Sequence, residues 1–123
     1  MYQAKLLKLD DYIEEEVILE INGIEIVGFT SVCPYKLTPN KVYLVDLSLT
    51  FLEDSEMIEQ CEERYGLEKI DEAYGYMLYG QVCGNAIDIG NGIKIQDNIF
   101  SENSYLNGHY IKIKADRLSI KFI

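Results

Sequence analysis

His109 is the single histidine of the chain, so a general base of ordinary pKa has one candidate. It follows Asn107-Gly108 at the start of a strand-like stretch. A nucleophile such as Cys33 would have to meet it across the fold, and no local signature marks such a pair. A partly exposed histidine at a strand start is the simpler expectation. Cys33, Cys61, Cys83 and His109 are also scattered, whereas structural zinc sites arrive as closely spaced ligand pairs. Buried free thiols are the expectation for the three cysteines. Asp10, Asp11, Glu14, Glu15 and Glu16 form the densest acidic group, but they lack the Asp-x-Asp-x-Asp-Gly spacing of a calcium loop. Adjacent carboxylates in a turn face water. Gly90-x-Gly92 lacks the third glycine and the Lys-Ser/Thr of a phosphate loop. No catalytic residue, metal ligand set or cofactor is therefore assigned. A small enzyme with a carboxylate-based site stays as a third alternative, because sites assembled across a fold leave little trace in sequence.

Surface chemistry is more informative. The net charge of −10 opposes non-specific binding to nucleic acid and suits a basic protein partner. The charge is uneven. Residues 53–72 hold Glu53, Asp54, Glu56, Glu59, Glu62, Glu63, Glu68, Asp71 and Glu72 against only Arg64 and Lys69, whereas near the end Lys112, Lys114, Arg117 and Lys121 face Asp116. Ten tyrosines and no tryptophan stand out in the composition. Tyrosine offers large contact area with a polar tip, and it is also a good strand former. Tyr43, Tyr74 and Tyr76 fit core positions, whereas Tyr35, Tyr105 and Tyr110 fall in or beside loops. The candidate partner surface is therefore Glu56, Glu59, Glu62, Glu63, Tyr65, Tyr35 and Tyr105. A rival ligand face is Tyr110, Lys112 and Lys114, which alternate with Ile111 and Ile113 and could stack on bases. Lysines guarding an edge strand are the favoured explanation of that stripe and need no ligand.

The elements that must position these residues are mostly strands. Asn22-Gly23 supplies the two positive-φ residues of a type I′ turn, setting Ile21 opposite Ile24 and Leu19 opposite Ile26 on one face. The same register puts Glu20 beside Glu25, an unfavourable pair. A three-residue Gly90-Asn91-Gly92 loop pairs Ile89 with Ile93 and Ile87 with Ile95, and sets Asp88 against Lys94. Gly84-Asn85 fits a type II′ turn with Val82 opposite Ile87. Tyr74 to Cys83, Ala86 to Ile89 and Ile93 to Asp97 thus form a three-strand meander, with Gly80 marking a close backbone approach. Lys41 to Leu52 alternates as one long strand, of the kind that curls round a barrel. The apolar phase slips near Ala115-Asp116, predicting a bulge or turn. Asn98 to Gly108 is polar and expected to be a surface loop. The spacing of Met57, Ile58, Cys61 and Tyr65 predicts a short amphipathic helix at about 54–66, capped by Asp54 or Ser55 and ended by Gly66.

Together these predict one mainly β domain over residues 1–123, a small antiparallel barrel or sandwich with a single short helix. The order of hairpin, long strand, helix and further hairpins is similar to that of the OB-fold, in which a helix commonly joins the third and fourth barrel strands. That resemblance implies an oligosaccharide- or single-stranded nucleic-acid-binding barrel as an alternative function. The primary expectation is a non-catalytic module binding a basic protein partner, in an inhibitor, adaptor or immunity-type role. The start of the chain lacks the apolar run of a signal peptide and no stretch is long enough to span a membrane, so a cytoplasmic protein is expected. Nothing in the sequence specifies an oligomeric state.

Overall fold

A computed structural model describes residues 1–9, 15–52, 55–70 and 75–123. The chain is mainly β. Its strands are β1 (Tyr2–Leu9), β2 (Glu16–Ile21), β3 (Ile24–Val32), β4 (Val42–Thr50), β5 (Ile58–Glu59), β6 (Gly66–Lys69), β7 (Tyr76–Cys83), β8 (Ala86–Asp88), β9 (Lys94–Gln96), β10 (Tyr110–Ala115) and β11 (Arg117–Phe122). One short helix, α1 (Asn98–Glu102), and a 3-10 turn at Ser104–Leu106 precede β10. The backbone divides into two compact units, residues 1–47 with 118–123, and residues 48–117.

The first unit is a closed barrel with strand order β1-β2-β3-β11-β4. Its nucleating hairpin has the expected register, Ile21 opposite Ile24, Leu19 opposite Ile26 and Glu20 opposite Glu25. The turn is built as its chemistry demands, with Asn22 at φ 51° and Gly23 at φ 85°. β3 and β11 run parallel, and the other pairings recorded for the barrel strands, β1 with β2, β1 with β4 and β2 with β3, are antiparallel. Leu6, Val17, Leu19, Ile21, Ile26, Val45, Ile120 and Phe122 alternate into the interior and are buried. Closing the sheet on itself leaves no unpaired edge.

In the second unit β7 is central. One edge pairs with β10, and the other is shared between β6 and β8. The order across the sheet is β5-β10-β7-β8-β9. The meander has the expected register, with Val82 opposite Ile87, Ile87 opposite Ile95 and Asp88 opposite Lys94. Ile89 N–H donates to the Ile93 carbonyl at 3.1 Å across the Gly90-Asn91-Gly92 loop. Tyr74 lies outside the described residues, so β7 is described only from Tyr76. Gly80 meets its neighbour so closely that a Cβ there would lie 1.9 Å from the Asp88 carbonyl oxygen. The phase slip near Ala115-Asp116 is the break between β10 and β11.

Two local expectations are corrected. No helix occupies the described part of 54–66; its predicted cap Asp54 lies outside the described residues. Ile58–Glu59 instead adds a two-residue strand beside β10, and Gln60 N–H donates to the Tyr110 carbonyl at 2.7 Å. A helix this short is marginal alone, and its acids three and four residues apart repel each other. Pairing with β10 wins. The second correction is Asn98–Gly108, which is no polar loop. Asp97 caps α1 by accepting from Ile99 N–H at 2.9 Å, and Phe100 and Leu106 are buried. The cysteines also differ from expectation, since Cys33 and Cys61 are exposed and Cys83 is half-buried.

Candidate functional site

A concave surface in the second unit lies between residues 51–52 with 55–57 on one side and α1 on the other. Hydrogen bonds fix both walls. On one side Thr50 accepts from Asp116 N–H at 2.9 Å, Leu52 N–H donates to the Asp116 carboxylate at 2.7 Å, and Ser55 Oγ donates to the Lys114 carbonyl at 2.7 Å. On the other, Phe100 anchors α1 in the core, and Asn103 Nδ2 donates to the Ile99 carbonyl at 2.8 Å. Between the walls are two adjoining hollows, of about 500 and 360 Å³, which share Ser55, Ile99 and Asn103.

Phe51, Leu52, Asp97, Asn98 and Glu102 complete the larger hollow, and Glu56, Met57 and Tyr105 the smaller. Leu52 and Tyr105 are 68% and 76% exposed. Among the described residues the charged lining groups are Glu56, Asp97 and Glu102, all acidic. The groove thus offers mixed polar and apolar contact beside acidic side chains.

A second cluster lies on the outward face of the sheet. The Arg64 guanidinium sits 3.6 Å from the centre of the Tyr79 ring and 3.2 Å from a Glu68 oxygen. The Tyr65 and Tyr110 rings meet edge-on at 5.7 Å, with their hydroxyl groups 3.3 Å apart. The hydrogen bond with Tyr110 holds the Tyr65 hydroxyl protonated well above its ordinary range, and desolvation adds to the effect. His109 Nδ1 lies 3.1 Å from a Glu59 oxygen, with both side chains about half exposed.

The structure regroups the residues singled out by sequence. Glu56 and Tyr105 meet in the groove. Tyr65 is drawn instead to Tyr110, a member of the rival face, and Glu59 to His109. Glu62 and Glu63 are exposed on the segment between β5 and β6. Tyr35 belongs to the first unit, where it stacks on Tyr43 at 5.6 Å and donates to the Ile123 carbonyl at 2.8 Å. Burial and the nearby Cys33 and Tyr43 push its hydroxyl pKa up. Tyr35 is thus a clasp of that unit. Tyr110, Lys112 and Lys114 do share one face opposite buried Ile111 and Ile113. However, β10 lies between β5 and β7 at Lys112, while Lys114 lies beyond the two-residue pairing with β5. Tyr110 has its ring and hydroxyl engaged by Tyr65. Sequence reasoning missed Leu52, Ile99 and Asn103. The available signal was Asp97 as a helix cap before Ile99-Phe100, and a lone apolar Leu52 beside acids.

Among the described residues no polar or charged residue is buried, and no three His, Cys, Asp or Glu side chains are grouped to hold a metal ion. No helix among them is long and apolar enough to cross a membrane.

The molecule is thus defined as a β protein containing a closed five-stranded barrel and a six-stranded sheet unit that carries an acid-rimmed groove. Residues 1–123 match the family described as "uncharacterised conserved protein UCP019853", and the chain belongs to that family. No curated protein and no solved structure matches it.

Proposed function

We propose that this protein is a non-catalytic interaction module that binds a basic protein partner through the groove between residues 51–52 with 55–57 and α1. The observation that carries the reading is the presence of exposed Leu52 and Tyr105 in a lining whose charged groups, among the described residues, are Glu56, Asp97 and Glu102. Such a groove takes an apolar anchor from a segment whose flanking cations meet the rim. The net charge of −10 extends the same field over the molecule and would speed encounter with a cationic protein. An inhibitor, adaptor or immunity-type role against a basic protein fits, in a cytoplasmic setting where three free thiols stay reduced.

Capture from native lysate tests this reading, with wild-type protein compared against Leu52→Glu and Tyr105→Ala. A basic protein retained by the wild type and lost from both variants is expected. Capture that is equal for all three, or absent even at low salt, rejects the groove.

A second reading keeps an OB-like barrel as a binder of oligosaccharide or single-stranded nucleic acid. Its support is the connectivity of the first unit. The order β4-β1-β2-β3 is a Greek key, closed into five strands by β11. Against it stand the acidic field and the engagement of Tyr110 by Tyr65. Flat titrations with oligonucleotides at low salt dispose of its nucleic-acid version.

A further inference from the structure

Arg64 is a cation in a strongly acidic stretch, and it is held in a particular way. Its guanidinium carbon sits over the Tyr79 ring, 3.6 Å from the ring centre, while one nitrogen contacts Glu68 at 3.2 Å. The register explains why the ring is open to it. Gly66 stands directly opposite Tyr79 on β6, and no atom lies within 4 Å of where its Cβ would be. Gly66 contributes no side chain to the face it shares with Tyr79. Glu68 stands two residues further along β6 and supplies the carboxylate. Lys112, opposite Tyr79 on β10, is the one opposing cation the pairing puts there.

We propose that the Tyr79 ring and the Glu68 carboxylate form a guanidinium-binding site, in which Arg64 stands in for an arginine of the basic partner. This rests on the reading that the partner is basic, but not on the groove. A planar guanidinium can stack on the ring and donate to the carboxylate at once, whereas a lysine ammonium can satisfy only part of that geometry. Arg64 is weakly held. Its side chain is 55% exposed and its carboxylate partner 60% exposed. The contacts are a surface ion pair and one exposed cation–π contact, so the self-bound state is favoured by only about tenfold. A partner arginine must displace it and binds more weakly by that same factor, the fraction of molecules with the site vacant. Arg64 therefore acts as a built-in competitor.

The test is titration of the full chain with oligo-arginine and oligo-lysine peptides of equal length, following the aromatic NMR signals of Tyr79. In Arg64→Gln both peptides gain from the lost positive charge. Oligo-arginine is expected to gain about tenfold more than oligo-lysine, with shifts centred on Tyr79. Adding Glu68→Gln, an exposed change that leaves the fold intact, should remove that excess, as should Tyr79→Leu. Equal gains for the two peptides overturn the proposal, as does an excess that survives Glu68→Gln. Tyr105→Ala serves as the groove control. If it abolishes partner capture while leaving the arginine excess unchanged, both readings stand. An arginine excess with no groove-dependent capture leaves this site intact and removes the groove alone.

Discussion

Phe100→Ala separates the structure from the simplest view of residues 98–108. A polar surface loop would tolerate the change, because surface substitutions typically stay within about 0.5 kcal/mol. In the structure Phe100 has no exposed surface, and it carries α1, which forms one wall of the groove. Truncating a fully buried phenylalanine removes its transfer free energy and leaves a cavity, together worth about 3–5 kcal/mol. Against a total stability of about 5–15 kcal/mol for a domain, that is a large fraction. Urea unfolding measures it directly. The midpoint should fall with little change in the slope against denaturant. Tyr105→Ala, five residues along and 76% exposed, is the internal control and should cost under about 0.5 kcal/mol. A loss below about 1 kcal/mol for Phe100→Ala would place this segment outside the core. The wall it supports would then lose its structural basis.

Other outcomes follow from single contacts. Gly80→Ala forces a methyl group against the Asp88 carbonyl, which is backbone and cannot swing away, so a loss of about 1–3 kcal/mol or more is expected by thermal unfolding. An unchanged melting temperature would contradict the β7–β8 approach. Glu25→Lys turns the opposed Glu20–Glu25 pair into an attractive one and should stabilise the barrel hairpin by about 0.5–1 kcal/mol in urea, an increment that salt should reduce. Tyr65 should ionise late in an alkaline titration followed by ultraviolet difference spectroscopy. Its folded pKa lies above the ordinary 10.0, so the contact contributes below pH 10.0 and is lost as pH rises through the higher folded value. Tyr65→Phe should delete that late phase; if it persists, the Tyr65–Tyr110 hydrogen bond is misassigned.

Much of the fold was legible because turn chemistry and side-chain period agree. Asn22-Gly23 and Gly90-Asn91-Gly92 each fix a register that buries one apolar set, and a slip by one residue would expose it. Residues 55–66 misled for the opposite reason. Their helical spacing is real, but Ile58–Glu59 gains more from ladder bonds to β10 than a short, self-repelling helix could supply, and such non-local pairing leaves no mark in the segment itself. α1 was hidden by its length: one and a half turns present only Phe100 to the core, too few for a period to show. Candidate residues fared likewise. Glu56 and Tyr105 stood out by charge and type, yet their place in one groove depends on Asp116 and Lys114 tethering Leu52 and Ser55. Tyr35 belongs to the barrel unit, where it stacks on Tyr43.

The central claim concerns the groove, and backbone NMR mapping with a basic peptide carrying one leucine or aromatic anchor tests it most directly. The account predicts shift changes concentrated at Leu52, Ser55, Glu56, Ile99, Asn103 and Tyr105, and their loss in Leu52→Glu. Flat spectra at low salt, or changes spread evenly over exposed carboxylates, would contradict it.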